Sequence, residues 1–324
     1  MSPTTPTLGP FLDAHVEPLG RPPIFILGML QRTGTNHLWD MIALHPDVDA
    51  LRPVFEDHLV RWTHHIDAYI DDVTRCWSPE WDVPTSEGSA LAHHLGQGVA
   101  RWVASHSDRR VVTKMPSVER LESFATYFAD CPLVLLVRDG RSVCESGVKS
   151  FAWSYERAFV RWRDAARAVL DLRARADAPE HMIVVRYEDL VDRPAEVMRE
   201  VCTTVGLDPD RYPYDEIEAL PVRGSSTVKS EQGSDLHWAP VERTESFKPN
   251  ERWSSWTDDV HRRFNEVAGT EQVALGYDCV DVGGSTAPTV RLRNAYDELW
   301  DVRRRHVRIK LGRVRRAVMR NLKS

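Results

Sequence analysis

Two polar loops, each directly after a short apolar run, carry the residues of this sequence best suited to binding an anion. The first loop follows the apolar residues 24–27 and leads into a helical pattern. Its members are Gln31, Arg32, Thr33, Gly34, Thr35 and Asn36. Backbone amides at a helix N-terminus attract anions, Gly34 permits close approach, and Arg32 adds a forked positive charge. The threonines and Asn36 can donate further hydrogen bonds. The loop therefore predicts a site for a phosphate or sulfate group.

This loop differs from the phosphate loop of nucleoside triphosphatases. That motif places Gly-Lys-Ser/Thr at the helix start, where the hydroxyl holds magnesium. Here Thr35 follows Gly34 directly, and the cation, Arg32, precedes the glycine. The metal-linked arrangement is missing from the sequence, so we expect no metal ion. A P-loop kinase-like phosphotransferase and a non-catalytic nucleotide-binding protein are the alternative functions.

The second polar loop follows the apolar residues 133–137. It begins at Arg138 with the turn Arg-Asp-Gly-Arg, and Ser146 stands eight positions further on, in a helical pattern that starts near Arg141. An arginine and a serine hydroxyl both donate hydrogen bonds to phosphate oxygens. The two loops together indicate nucleotide binding more strongly than either loop alone.

The order Arg-Thr-Gly-Thr over residues 32–35 resembles the 5′-phosphosulfate loop of PAPS-dependent sulfotransferases (PAPS is 3′-phosphoadenosine-5′-phosphosulfate). Asn36 replaces the second threonine of the family pattern. Arg138 and Ser146 have the spacing of the family's 3′-phosphate ligands, and their turn is most similar to the tyrosylprotein sulfotransferase branch and its bacterial relatives. The resemblance implies sulfuryl transfer from PAPS to a hydroxyl acceptor, with release of PAP and no need for a metal.

The resemblance also implies catalytic roles for residues between the loops. Lys114 stands where cytosolic sulfotransferases carry a catalytic histidine and where the tyrosylprotein branch carries a lysine. We assign it to electrostatic stabilisation of the bridging oxygen, because a lysine acts as a base only when its pKa is strongly lowered. Glu56 occupies roughly the position of the tyrosylprotein glutamate and is the candidate base. Asp57, His58 and His37 are its competitors.

Two later residues complete the expected donor site. Tyr187, in the segment Arg-Tyr-Glu-Asp, matches a family tyrosine that approaches the adenine. Lys248 stands where family members have a basic loop near the 3′-phosphate. Both assignments follow from the resemblance alone.

The elements that must position these residues alternate between strand and helix. Apolar runs predict strands over residues 24–27, 110–113, 133–137 and 181–187, and helical patterns follow each of them. This alternation predicts an α/β fold with a parallel sheet flanked by helices, the P-loop-like sulfotransferase fold. Ligands of such sheets bind at the carboxyl ends of the strands, where the polar loops lie.

The 324 residues, 42% of them apolar, can bury one substantial core. We expect an N-terminal arm over residues 1–23, a sulfotransferase domain over 24–282, a linker over 283–290 and a basic amphipathic helix over 291–324. That last segment holds twelve Lys/Arg against three Asp/Glu, although the formal net charge of the chain is −6. It favours docking, homodimerisation or peripheral contact with anionic lipid.

The composition also indicates the cellular location of the protein and the class of its partners. The five cysteines are scattered, and neither a signal peptide nor a membrane span is apparent, so we expect a cytoplasmic protein or one peripheral to the inner face of the membrane. The negative net charge argues against nucleic acid. The acceptor is expected to be the hydroxyl of a sugar, lipid, natural product or tyrosyl group.

Overall fold

Five parallel strands form one sheet in the computed structural model, which describes residues 19–51, 56–81, 83–84, 86–221, 252–284 and 288. The strands are β1 (Ile24–Gly28), β2 (Val48–Asp49), β3 (Arg110–Met115), β4 (Leu133–Val137) and β5 (Met182–Arg186). Their order across the sheet is β2-β3-β1-β4-β5. Every neighbouring pair is parallel. The predicted α/β fold with a parallel sheet is confirmed.

Nine α-helices occur among the described residues. They are α1 (Thr35–Ile42), α2 (His64–Arg75), α3 (Glu87–Ala104), α4 (Phe124–Tyr127), α5 (Gly140–Phe151), α6 (Tyr155–Ala174), α7 (Tyr187–Asp192), α8 (Pro194–Val205) and α9 (Asp258–Ala274). Helix α8 shows how the local sequence determines where a helix begins and ends. Its first residue is a proline, whose fixed φ suits that position, and Gly206 ends it with a φ of 73°.

Strand β1 is the middle strand of the sheet, and every residue in it is buried. Alternate side chains point to opposite faces. Ile24 and Ile26 belong to a core cluster that also holds residues of α1 and α8. On the other side, the ring of Phe25 packs against Phe124 and Phe128, at centroid distances of 5.4 and 4.9 Å. The central strand is therefore covered on both faces.

The chain divides into two compact units. The first contains residues 1–138 and 168–225, together with 237–243, and holds the whole sheet. The second contains residues 139–167, 226–236 and 244–324. Among its described residues, Phe159, Trp256 and Trp162 pack around Phe264 with centroid distances of 5.3, 5.7 and 5.9 Å. Aromatic packing thus builds the core of the second unit.

Several sequence expectations lie wholly or partly outside the described residues. The predicted arm is described only from residue 19, and the linker only at residues 283, 284 and 288. The predicted helix over 291–324 and the candidate ligand Lys248 lie outside the described residues. Across the described ranges, no helix has the length and apolar character needed to span a membrane.

Candidate active site

The first polar loop connects β1 to α1 and is braced by its own side chain. Oγ1 of Thr33 donates to the carbonyl of Leu30 at 2.5 Å and accepts from the Leu30 amide at 3.2 Å. Thr33 is 1% exposed. Arg32 and Gly34 have φ angles of 79° and 111°, a left-handed backbone that is unusual for an arginine. The Thr33 hydroxyl, expected to donate to a ligand, therefore donates within the loop.

Lys114 lies beside this loop because β3 pairs with β1. The register places Ile26 opposite Lys114. The lysine is 2% exposed, and its Nζ donates to Oδ1 of Asn36 at 2.5 Å and lies 5.6 Å from the Trp39 ring centroid. A buried ammonium group is stable only with such partners. Two predicted site residues from distant parts of the chain are thus in contact.

Arg138 reaches the same loop from the end of β4. Its Nη1 donates to the carbonyl oxygen of Arg32 at 3.0 Å, and the side chain is buried. Burial, and next the charge of Arg138, lower the pKa of Arg32 to about 10. Two cationic groups held close together destabilise one another, and an anion relieves that repulsion. The arrangement therefore favours a negatively charged ligand.

Tyr187 lies between the loop and Arg138. The guanidinium carbon of Arg138 is 4.1 Å from the Tyr187 ring centroid. A Cβ added to Gly34 would lie 2.5 Å from the ring atoms Cδ2 and Cε2 of Tyr187, so the two residues touch. The ring centroid of His37 is 6.4 Å away. The expected contact with adenine stays a prediction, while the observed contacts make Tyr187 a support for the loop.

The candidate bases lie where residues 56–59 run beside the end of β3. The amide of Asp57 donates to the carbonyl of Lys114 at 3.2 Å. The Asp57 carboxylate accepts from the Thr113 hydroxyl and from the Leu59 amide, the latter at 2.7 Å. Burial raises the pKa of Asp57, although these hydrogen bonds partly oppose the shift. Asp57 is thus a partly buried residue whose backbone is bonded to that of Lys114.

Glu56, the base expected from the resemblance, has a different environment. Its side chain is 29% exposed and its Oε2 lies 3.5 Å from Nε2 of His58. His58 has a φ of 53°. Glu56 and Asp57 are neighbours in sequence, so the segment brings both carboxylates to this edge of the sheet.

Ser146 lies in the second unit, on α5. It is 1% exposed, and its Oγ accepts from Nη1 of Arg252 at 3.1 Å. Asp139 caps α5 by accepting from the Arg141 amide at 2.8 Å, and it also binds the Arg141 guanidinium. Sequence reasoning missed Arg252. The one available signal was a basic residue directly before Trp253, only four positions after the candidate Lys248.

No metal-ligating group of three or more His, Cys, Asp or Glu side chains is found in the part of the chain that the structure describes. The arginine and lysine side chains gathered at the first loop suit phosphate or sulfate oxygens.

Known structures with similar folds include several sulfotransferases. One is the sulfotransferase domain from the curacin biosynthetic pathway, at 18% identity and a TM-score of 0.49, covering 82% of this chain and 100% of that one. Another is the sulfotransferase domain of the Synechococcus PCC 7002 olefin synthase, at 22% identity and a TM-score of 0.48, covering 82% and 97%. A mouse sulfotransferase complexed with PAP has 13% identity and a TM-score of 0.40, covering 77% and 84%.

The family of this chain follows from its amino-acid sequence. No curated protein matches the sequence significantly. The model described as the Sulfotransferase family matches residues 22–211, more than half of the 324 residues. The matched range includes the first loop, Lys114, Arg138, Ser146 and Tyr187. The chain therefore belongs to the sulfotransferase family and is an enzyme of sulfuryl transfer.

Proposed function

We propose that the enzyme transfers a sulfuryl group from PAPS to a hydroxyl acceptor and releases PAP. One observation carries the proposal: Lys114, in β3, and Arg138, directly after β4, both bind the first loop, through Asn36 and through the carbonyl of Arg32. Membership of the sulfotransferase family supports PAPS as the donor.

Arg32 and Lys114 would stabilise the negative charge that develops on the sulfuryl group and on the leaving phosphate. Sulfuryl transfer is similar to phosphoryl transfer, in which positioning and charge neutralisation supply most of the catalysis. The remaining residues of the first loop, Gln31 and Thr33–Asn36 included, would shape the 5′-phosphosulfate site. No residue in this account requires a metal ion.

Arg138 and Ser146 would bind the nucleotide, the latter through the 3′-phosphate. In the second unit, Arg252 supports this role because its guanidinium already meets the Ser146 hydroxyl at 3.1 Å. Lys248 would be a further ligand of the 3′-phosphate, by its position in the sequence. Tyr187 would hold Arg138 in place and, by the resemblance, approach the adenine.

A carboxylate from residues 56–57 would accept the proton of the acceptor hydroxyl. The pKa of Asp57 is raised by burial, which brings a carboxylate closer to the range where a general base works well. Asp57 is also joined to Lys114 through the backbone. We therefore favour Asp57 and keep Glu56 as the alternative.

The acceptor would be a small molecule, glycan or lipid with a free hydroxyl. The stretch between the two loops exposes large aromatic side chains, with Trp62 46% exposed and Trp81 and Trp102 each 57% exposed. Exposed aromatic rings are suited to the recognition of an acceptor with apolar surface. The five free cysteines support a reducing compartment such as the cytoplasm.

Thermal shift measurements test this proposal. PAP and PAPS should each raise the melting temperature of the wild type, and Arg138→Ala should remove most of that shift. Arg175→Ala is the matched control, because Arg175 is bonded at the surface to Asp177. Stabilisation by ATP with magnesium but not by PAP would instead support the kinase-like alternative.

Turnover separates an enzyme that uses PAPS from a protein that only binds it. Incubation with sulfur-labelled PAPS and a panel of hydroxyl compounds should give labelled product in an acceptor-dependent manner. Binding of PAP without product from any acceptor class would favour the non-catalytic alternative.

A further inference from the structure

Residues 252–256, which precede α9, are held against α5 at three points within the second unit. Nη1 of Arg252 donates to Oγ of Ser146 at 3.1 Å. The ring centroid of Trp253 lies 3.9 Å from the guanidinium carbon of Arg141. Nε1 of Trp256 donates to Oε2 of Glu145 at 2.8 Å. Residues 141 and 145 are one helical turn apart, so α5 presents these contacts along one strip.

Glu145, which forms the third of these contacts, is almost fully enclosed. It is 4% exposed, although it is a carboxylate. Besides Trp256, its Oε2 accepts from the Tyr155 hydroxyl at 2.7 Å, and its Oε1 lies 2.9 Å from Nζ of Lys149. Burial by itself would raise the pKa of Glu145, but the hydrogen bonds from Lys149, Tyr155 and Trp256 outweigh it and lower the pKa. Glu145 is therefore ionised at neutral pH and both of its oxygens are engaged.

Fixing the indole of Trp256 also fixes the residues before it. Trp256 is 8% exposed and packs against Tyr155 and Phe159, each at a centroid distance of 5.6 Å. Its backbone amide donates to the carbonyl of Trp253 at 2.8 Å and closes the turn. A short closed turn moves as one piece, so the orientation of Trp256 determines where Arg252 lies.

We propose that Glu145 is a positioning residue, which holds residues 252–256 so that Arg252 meets Ser146 and the pair can bind a phosphate group. The inference rests on the proposed function, in which Ser146 binds the 3′-phosphate of the nucleotide. Glu145 does not touch the ligand itself. It acts through Trp256 and the turn, and its ionised form is required because three donors converge on it.

The test compares two nucleotides that differ only in the 3′-phosphate, PAP and AMP. In Glu145→Gln the side-chain amide nitrogen is itself a donor and faces the donors that now bind the carboxylate. Residues 252–256 therefore lose the charged group that holds them. We expect the affinity for PAP to fall about tenfold, the size of one lost charge-assisted hydrogen bond, while the affinity for AMP changes less than twofold. Calorimetric titration of the full-length protein measures both dissociation constants. If the role of Glu145 were merely structural, the variant would lower the affinity for PAP and for AMP equally.

Glu271→Gln is the matched control. Glu271 is also a buried carboxylate of the second unit, 7% exposed, and it is bonded by Nε of Arg167 at 2.7 Å. We expect it to lower the melting temperature without changing the preference for PAP over AMP. If Glu145→Gln leaves that preference unchanged, or if both variants reduce it equally, the positioning role is wrong.

Trp256→Phe keeps the proposal testable if Glu145→Gln does not fold. It retains a large ring and removes only the Nε1 donor, so a selective loss of about threefold in PAP affinity is expected. Unchanged PAP affinity in a folded Trp256→Phe would overturn the inference. Wild-type protein that does not prefer PAP to AMP would instead overturn the proposed function.

Discussion

The guanidinium carbon of Arg138 lies 4.1 Å from the centroid of the Tyr187 ring, and the same ring touches Gly34 of the first loop. One aromatic side chain at the end of β5 thus links the arginine that follows β4 to the loop that follows β1. Three adjacent strands of the sheet contribute to this contact. These contacts of the proposed donor site therefore depend on the order of the strands in the sheet.

Replacing Tyr187 should weaken nucleotide binding through Arg138. A cation–π contact contributes about 0.5–2 kcal/mol, so Tyr187→Ala should reduce PAP affinity by about twofold to thirtyfold. Tyr187→Phe keeps the ring and should bind PAP within about twofold of the wild type. Isothermal titration of both variants checks this. Equal losses in the two variants would assign the effect to the hydroxyl instead.

Gly34→Ala should destabilise the protein. The new Cβ would lie 2.5 Å from two atoms of the Tyr187 ring, and the φ of 111° is unfavourable for alanine. We expect a loss of about 1–3 kcal/mol in the free energy of unfolding, measured by urea denaturation. Gly98→Ala is the control, because Gly98 lies within α3 and its Cβ would meet nothing within 4 Å. That variant should gain up to about 1 kcal/mol.

The pH profile of turnover should identify the base. Burial raises the pKa of Asp57 above its ordinary value of 3.8, so the carboxylate is protonated, and inactive as a base, as pH falls through that raised pKa. Asp57→Asn should lower kcat by about 10²- to 10⁴-fold and remove the acid limb of the profile. Glu56→Gln should keep that limb. Loss of the limb in Glu56→Gln alone would assign the base to Glu56.

Lys114→Met should separate catalysis from folding. Removing a cation that stabilises transition-state charge typically lowers kcat by about 10²- to 10³-fold. The methionine side chain fills a similar volume, and loss of a buried charge spares its desolvation cost, so the melting temperature should change little. Single-turnover kinetics with PAPS and calorimetric scanning measure the two effects. A large fall in melting temperature with normal turnover would show that Lys114 is structural.

Local pattern was sufficient to predict much of the sheet. β4 occupies the predicted residues 133–137, which form a buried apolar run. α8 lies in the helical pattern expected after β5, with a proline at its start and a glycine at its end. β3 extends two residues beyond its predicted end, to Met115, since pairing with β1 continues there. The two-residue strand β2 was too short to be recognised. α6 was also missed, although Phe159, Trp162 and Val169 recur at helical spacing among its many charges.

The contacts of the candidate site depended on tertiary structure. The sequence identified Asn36 and Lys114 separately, but their hydrogen bond requires β3 to lie next to β1. Tyr187 was expected to approach the adenine, and its contact with Gly34 follows from the position of β5 beside β4. Arg252 has no motif of its own, and its meeting with Ser146 arises from the packing of the second unit.

The brace between Thr33 and Leu30 has a kinetic consequence. Because these hydrogen bonds already order the first loop, an arriving phosphosulfate group need not wait for the loop to fold. Thr33→Val keeps the shape and removes the hydroxyl, so the loop should sample open conformers, and the association rate constant of PAP should fall more than its dissociation rate constant rises. Stopped-flow measurements of both constants would report how rapidly this enzyme binds and releases the nucleotide.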